Sequence, residues 1–142
     1  MASYKNLLVG LDLSEDCTVI LRKAAEIAAQ FNAKLSVAHI VEPLAFAYGG
    51  DVPLDLTEAQ NVMENQARER LAKIVDECQV DAANHYVCIG HAATELHRIA
   101  EEHNMDMIVV GSHGRHGLAL LFGSITKGVV QNASCDVLAV RI

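Results

Sequence analysis

Five short apolar runs alternate with helical patterns along this chain, and that alternation restricts the possible folds more than any other feature. The runs occupy residues 6–11, 34–41, 85–89, 107–110 and 136–142. Between the first two, Cys17, Ile20, Leu21 and Ala24 recur at the spacing of one helix face. Strands that alternate with helices are joined by right-handed crossovers, which produce a mostly parallel sheet covered on both faces. The sequence therefore predicts an α/β fold built on a five-stranded parallel sheet.

Length and composition point to one soluble domain. The 142 residues are enough for a sizeable core, and no linker divides them, so residues 1–142 are predicted to form a single domain. The net charge of −7 argues against nucleic-acid binding, which requires a basic face. No apolar run approaches the roughly 20 residues that span a bilayer, and the N-terminus lacks a signal-peptide pattern. The protein is expected to be cytoplasmic, without contact to a membrane.

Capping signals predict where the helices begin and end. Ser14 is expected to cap the first helix, and Asn32 to end it in a left-handed conformation. Residues 42–56 show no period and are predicted to be the longest loop. The capping box at residues 57–60 is predicted to start a long second helix. A third and a fourth helix are expected over residues 93–103 and 124–132. The four cysteines, widely spaced and without a CxxC pair, are expected to be small buried residues.

Residues 107–124, with the sequence MIVVGSHGRHGLALLFGS, combine a buried strand, a glycine-rich turn and the start of a helix. The glycines are Gly111, Gly114, Gly117 and Gly123, and Ser124 is placed to cap the helix behind them. Glycine allows the backbone to approach a ligand closely, and the unpaired N–H groups and dipole of a helix N-terminus favour an anion. A plain tight turn is the alternative. The number of glycines favours a ligand that carries phosphate.

Ligands of doubly wound sheets bind beyond the carboxyl ends of the strands, where the strand order reverses. If the first strand is central and the fourth lies beside it, Asp12 faces the glycine-rich turn across one cleft, and the loop after Val41 forms a third wall. A carboxylate accepts hydrogen bonds from ribose hydroxyl groups but repels phosphate. We therefore assign Asp12 to a sugar or a metal, and Gly114, Gly123 and Ser124 to phosphates. A simple turn residue is the alternative role for Asp12.

These residues also carry a family resemblance. The segments LLVGLDLS (7–14), VVGSHGRHG (109–117) and DVLAV (136–140), with His39 and the Gly123–Ser124 pair, resemble the universal stress protein family over essentially the whole chain. Members with a Gly-x-x-Gly segment followed at a fixed distance by Gly-Ser or Gly-Thr bind ATP, and the other branch lacks these glycines. Here the glycines match, but the eight residues between Gly114 and Gly123 are one fewer than in the motif.

The resemblance implies a flavodoxin-like or Rossmann-like doubly wound sheet with helices on both faces and strand order 3-2-1-4-5. It implies a bound ATP, with AMP or ADP as alternatives, and Mg²⁺ carried by the phosphates rather than by protein ligands. It also implies a homodimer formed through residues 137–142, and a partner protein that the sequence does not identify. The expected nucleotide-binding residues are Asp12, Val41, Gly111, Gly114, Arg115, His116, Gly117, Gly123, Ser124 and Ile125.

Three functions remain open at this point. The first is a nucleotide-binding regulatory module in a stress response, and it is the one we favour. The second is a slow ATPase or phosphotransferase, although the chain has no GxxxxGK[ST] loop and no catalytic residue is assigned. The third is a dimeric adaptor that lost its nucleotide through the shortened loop. The HxxH spacing of His113 and His116 lacks further ligands, so no metal site is predicted. His39 is expected to be partly buried and hydrogen-bonded.

Overall fold

The computed structural model describes residues 4–42, 54–112 and 127–141, with side chains from residue 58 onward in the second range. Strands and helices alternate through this part of the chain. In chain order they are β1 (Asn6–Gly10), α1 (Cys17–Phe31), β2 (Lys34–Val41), α2 (Leu54–Glu77), β3 (Asn84–Ile89), α3 (Ala92–Glu102), β4 (Met107–Gly111), a helical segment α4 (127–131) and β5 (Asp136–Val140).

The strands form one five-stranded sheet in the order β3-β2-β1-β4-β5, and every pair in it is parallel. The predicted fold class and strand order are confirmed. Strand β1 is central: Leu7 lies opposite Leu35 of β2 on one side and opposite Met107 of β4 on the other. The chain moves from β1 toward one edge of the sheet and then crosses over to β4. The strand order therefore reverses between β1 and β4.

Each face of the sheet is buried by its own pair of helices, because successive side chains of a strand point to opposite faces. Leu7 and Val9 pack in a cluster with residues of α1 and α2, whereas Leu8 packs with residues of α3 and with Val129 of α4. All three β1 residues are fully buried. Burial on both faces explains why the strands are continuous apolar runs in the sequence.

At the amino ends of the strands, a single carboxylate joins β1 to the segment that precedes β4. Oδ2 of Asp106 accepts the backbone N–H groups of Lys5 at 2.6 Å and of Asn6 at 2.8 Å. The Asp106 N–H in turn donates to the Asn6 carbonyl oxygen at 2.7 Å. These bonds hold the crossover strand in register at the end of the sheet that is remote from the predicted ligand site.

The predicted helix ends are partly correct. Asn32 ends α1 in the left-handed region, with φ of 54° and ψ of 42°, as expected. The prediction that Ser14 caps α1 was wrong. The helix begins at Cys17, after Asp16, and the Ser14 side chain bonds to Asp12 instead. The start of the second helix was also wrong, because α2 begins at Leu54. A capping box stabilises a helix start by only about 1 kcal/mol. This is too little to prevent the helix from beginning earlier, because leucine is a strong helix former.

The remaining described ends agree with the predictions to within two residues, and residues 43–53 of the predicted loop lie outside the described part of the chain. Cys17 is buried as expected, whereas Cys78, Cys88 and Cys135 are only half-buried; all four are free thiols. In the part of the chain that the structure describes, no helix has the length and apolar content needed to cross a membrane.

Candidate functional site

A concavity lies at the carboxyl ends of β1, β2 and β4, where the strand order reverses. Ligands of doubly wound sheets bind at this position. The residues that line it come from the ends of these strands, from the turn after β1 and from α3: Gly10, Leu11, Asp12, Ala38, His39, Ile40, Ala92, Leu96 and Val110. The structure thus brings Asp12 to the site, in the turn that links β1 to α1.

The turn at Asp12 is held by its own side chains. Oδ1 of Asp12 accepts the Ser14 backbone N–H at 3.0 Å and the Ser14 hydroxyl at 2.6 Å. Between them, Leu13 is 7% exposed and adopts φ of 62°, a left-handed conformation that costs a leucine about 1–2 kcal/mol. A carboxylate offers about four acceptor positions, so Asp12 keeps acceptor capacity beyond its two bonds to Ser14. Backbone strain maintained in this way is typical of functional turns.

Strand β2 holds the residue before Asp12 from two directions. The Leu11 N–H donates to the Ala38 carbonyl oxygen at 2.9 Å, and Nδ1 of His39 lies 2.7 Å from the Leu11 carbonyl oxygen. Because a carbonyl only accepts, Nδ1 must carry the proton. Burial lowers the pKa of His39 below its usual value, although its bond to Leu11 and the nearby Asp12 carboxylate oppose that shift. The expectation of a partly buried, hydrogen-bonded His39 is confirmed.

The floor of the concavity is apolar, and Gly10 allows α3 to approach it. A Cβ at Gly10 would lie 3.1 Å from Cδ1 of Leu96 and 3.5 Å from Cγ1 of Val110. The first distance is tighter than ordinary van der Waals contact, so any larger residue would have to displace Leu96. A concave apolar surface with a few polar groups is the usual form of a small-molecule site. The sequence analysis did not identify Gly10, because only the tertiary contact with Leu96 reveals its role.

Ser112 lies two residues after Val110, which lines the concavity, and the sequence did not predict a role for it. It follows the last residue of β4, and its N–H donates to the Val140 carbonyl oxygen at 2.7 Å. Its Oγ is buried and has no hydrogen-bond partner among the residues that the structure describes. Strands β1 and β4 are paired as far as Val9 and Val109, and Asp12 and Ser112 each follow three residues later in the sequence. A buried hydroxyl without a partner is costly, and it fits a ligand that completes its bond.

The other predicted site residues divide into two groups. Val41 and Gly111 are the last residues of β2 and β4, and they lie at the carboxyl ends as expected. The Val41 carbonyl oxygen accepts the Gly90 N–H at 2.9 Å. The rest of the predicted set lies outside the described residues: Gly114, Arg115, His116, Gly117, Gly123, Ser124 and Ile125. Across the described ranges there is no group of three or more His, Cys, Asp or Glu residues that could hold a metal ion.

Comparison with known proteins identifies the family. The model of the universal stress protein family matches residues 3–141. The chain belongs to this family. Universal stress protein A homolog 1 of Coxiella burnetii is 37% identical to it over 139 residues, which cover 96% of each protein. The family expected from the sequence motifs is therefore confirmed.

Solved structures of universal stress proteins share the fold. The protein from Lactobacillus plantarum superposes with a TM-score of 0.81 at 27% identity, covering 99% of this chain and 100% of that one. A universal stress protein solved in complex with cAMP superposes with a TM-score of 0.66 at 24% identity, covering 98% of both chains. The second likeness concerns the fold alone.

Proposed function

We propose that this universal stress protein is a stress-response regulatory module that binds ATP at the carboxyl ends of β1, β2 and β4. One observation carries the proposal: the Asp12 carboxylate, which has unused hydrogen-bonding capacity, lines a largely apolar concavity at the ends of the central strands. The buried Ser112 hydroxyl, which follows the adjacent strand β4, adds a second polar group without a described partner. Such a combination suits a ligand with an apolar ring and several hydroxyl groups, and a nucleoside has both.

The chemistry of these groups orients the nucleotide. The adenine ring would lie against the apolar surface at Leu96 and near the Val41 backbone, and the Asp12 carboxylate would accept a hydrogen bond from the ribose. The phosphates would then extend toward Gly114, Gly123 and Ser124, with Mg²⁺ bound to the phosphate oxygens. Because a carboxylate repels phosphate, the Asp12 side of the site is the sugar side. AMP and ADP present the same nucleoside and are the alternative ligands.

The comparison with the cAMP complex supports an adenine nucleotide in general terms. That protein has the same fold and holds a ligand that contains adenosine. ATP and cAMP share the nucleoside and differ in the phosphates. The support therefore extends to the adenosine part of the proposed ligand, whereas the triphosphate rests on the glycines of the sequence motif.

Two other functions give different outcomes in a binding experiment. A slow ATPase or phosphotransferase would bind ATP and release phosphate. A dimeric adaptor would bind no nucleotide, and the shortened spacing between Gly114 and Gly123 is the feature that favours it. For each of the three functions we propose a cytoplasmic homodimer that pairs through residues 137–142. Strand β5 supports the dimer, because it is an edge strand whose described pairing is with β4.

A calorimetric titration tests the proposal. Nucleotide-stripped protein is titrated with Mg·ATP, AMP and GTP, and phosphate release is followed in the same sample. We expect saturable ATP binding with one site per chain, a preference for ATP over GTP, and little phosphate release. The variants Gly114→Leu and Gly123→Leu should remain folded and lose binding. Absence of binding up to about 1 mM ATP, a Kd that corresponds to a binding free energy of roughly 4 kcal/mol, would overturn the proposal and favour the adaptor.

A further inference from the structure

The Asp12 turn depends on a residue from the neighbouring strand. We propose that His39 is a positioning residue: the bond from its Nδ1–H to the Leu11 carbonyl oxygen fixes the backbone that presents the Asp12 carboxylate to the ligand. The inference rests on the proposed function, because it assigns a role to His39 in the nucleotide site. It also makes a statement about the turn that can be tested without any ligand.

The geometry supports this role at three successive points of the chain. The peptide groups of Leu11 are bonded to β2 on both sides, with the N–H on Ala38 and the carbonyl oxygen on His39, at 2.9 and 2.7 Å. The next residue is Asp12, whose Oδ1 makes the bonds to Ser14. The residue after that, Leu13, is in the left-handed region. A strained turn of this kind persists only where its surroundings fix it, and His39 supplies the bond at its entrance.

His39 acts from the face of the sheet opposite the apolar floor. Along β2, Val37 and Val41 pack into the cluster of α1 and α2, whereas Ala38 and Ile40 pack into the cluster of α3 and α4. By the alternation of a strand, the side chain of His39 lies on the α1–α2 face. His39 is therefore a lining residue of the concavity whose imidazole is not on the face of the floor residues Ala38 and Ile40. Its effect on the ligand is transmitted through the Leu11 carbonyl to Asp12.

Three substitutions at His39 separate a positioning role from a general structural one. In His39→Asn, the side-chain amide nitrogen takes the place of Nδ1 and can still donate to Leu11. In His39→Gln, the same amide sits one bond further out. His39→Leu has a similar volume but no donor. His85→Asn, on the exposed surface of the edge strand β3, is the matched control for loss of a histidine.

The experiment measures ATP affinity by calorimetry and the Ser14 backbone amide by NMR and hydrogen exchange in the same variants. We expect ATP to bind about 10-fold more weakly to His39→Leu. This loss corresponds to roughly the free energy of one hydrogen bond, the bond that orients the Asp12 turn. His39→Asn and His85→Asn should stay within about 3-fold of the wild type. In His39→Asn the Ser14 amide should keep its chemical shift and its protection from hydrogen exchange. In His39→Leu the chemical shift should change and the protection should fall.

The outcomes distinguish this inference from the proposed function. If the wild type binds no ATP, the proposed function fails, and the Ser14 amide still decides the role of His39. If the wild type binds ATP but His39→Leu binds equally well with an unchanged Ser14 amide, the inference is overturned. If His39→Leu does not fold, the comparison between His39→Asn and His39→Gln takes its place. Equal affinity and equal Ser14 protection in those two variants would then overturn the proposal.

Discussion

Oδ1 of Asp12 holds both polar hydrogens that Ser14 offers, the backbone N–H at 3.0 Å and the hydroxyl at 2.6 Å. This contact replaces the helix cap that the sequence predicts for Ser14, and it orients the carboxylate at the carboxyl end of β1. The turn therefore has two separable properties: the geometry that Ser14 stabilises, and the negative charge that Asp12 would present to the proposed ligand.

The first prediction separates these two properties. Asp12→Asn keeps an oxygen that can accept from Ser14 but removes the charge, so the free energy of unfolding should change little. ATP affinity should fall about 10-fold or more, because hydrogen bonds to charged groups are worth roughly 1.5–3 kcal/mol. Ser14→Ala keeps the charge and the backbone bond, and its affinity should fall less than about 3-fold. Calorimetry and urea unfolding of both variants provide the test. A larger affinity loss in Ser14→Ala than in Asp12→Asn would show that turn geometry, rather than charge, controls binding.

The second prediction concerns the unpartnered hydroxyl of Ser112. Ser112→Ala removes a buried polar atom that has no bond in the described structure, so the ligand-free protein should be as stable as the wild type or slightly more stable. ATP affinity should fall about 2- to 10-fold, as expected for a neutral hydrogen bond of roughly 0.5–1.5 kcal/mol. Ser36→Ala is the control, because Ser36 is 4% exposed but lies in the amino-terminal half of β2, opposite Leu8 in the middle of β1. Equal ATP affinity in Ser112→Ala and the wild type would remove Ser112 from the site.

The third prediction tests the close approach of α3 to β1. Gly10→Ala places a Cβ about 3 Å from Leu96, which is buried and must shift, so the free energy of unfolding should fall by about 1–2 kcal/mol. In a Leu96→Ala background the methyl groups that cause the clash are absent, and adding Gly10→Ala should cost less. Urea unfolding of the two single variants and the double variant gives the coupling. Strict additivity would show that the Leu96 contact is not the reason for glycine at this position.

The fourth prediction is a pH dependence of stability that originates at His39. Burial lowers the pKa of His39 in the folded state, and the positive charge of Arg70 on α2 lowers it further. The Asp12 carboxylate in the β1–α1 turn opposes this shift. The unfolded state, with a histidine pKa of about 6.5, then binds more protons than the folded state between the two pKa values. The free energy of unfolding should therefore decrease as the pH falls below about 6.5. Urea unfolding between about pH 5 and pH 8 should show a smaller decrease for His39→Asn than for the wild type. Parallel curves for the two proteins would assign the acid effect to other groups.

The fifth prediction addresses the proposed dimer. Ala139 is exposed on the edge strand β5, and a lysine there opposes pairing with another strand. Ala139→Lys should therefore sediment as a monomer at concentrations at which the wild type is dimeric. Val62→Lys introduces the same charge on α2, where Val62 is 53% exposed, and should leave the dimer intact. Dissociation in Val62→Lys but not in Ala139→Lys would place the interface elsewhere.

Features that depend on neighbours in the sequence could be predicted. The strands were found because burial on both faces requires continuous apolar runs, and Leu7, Leu8 and Val9 are fully buried. The end of α1 was found because asparagine tolerates the left-handed conformation, which Asn32 adopts. The positions of Asp12, Val41 and Gly111 at the carboxyl ends of central strands could also be predicted. Each residue lies at or just after the end of an apolar run, and such runs are visible in the sequence.

The tertiary structure decided what depends on contacts between distant segments. Leu96 approaches Gly10 from α3, and the ring of His39 reaches Leu11, which follows the neighbouring strand β1. The buried hydroxyl of Ser112 has no described partner. Strand register and helix packing bring such residues together, and spacing along the chain does not encode either directly. The sequence by itself thus determined the order of strands and helices and the edge of the sheet that carries the site. Only the tertiary structure decided that His39 bonds to Leu11 at the entrance of the Asp12 turn, because that bond joins β2 to the segment that follows β1.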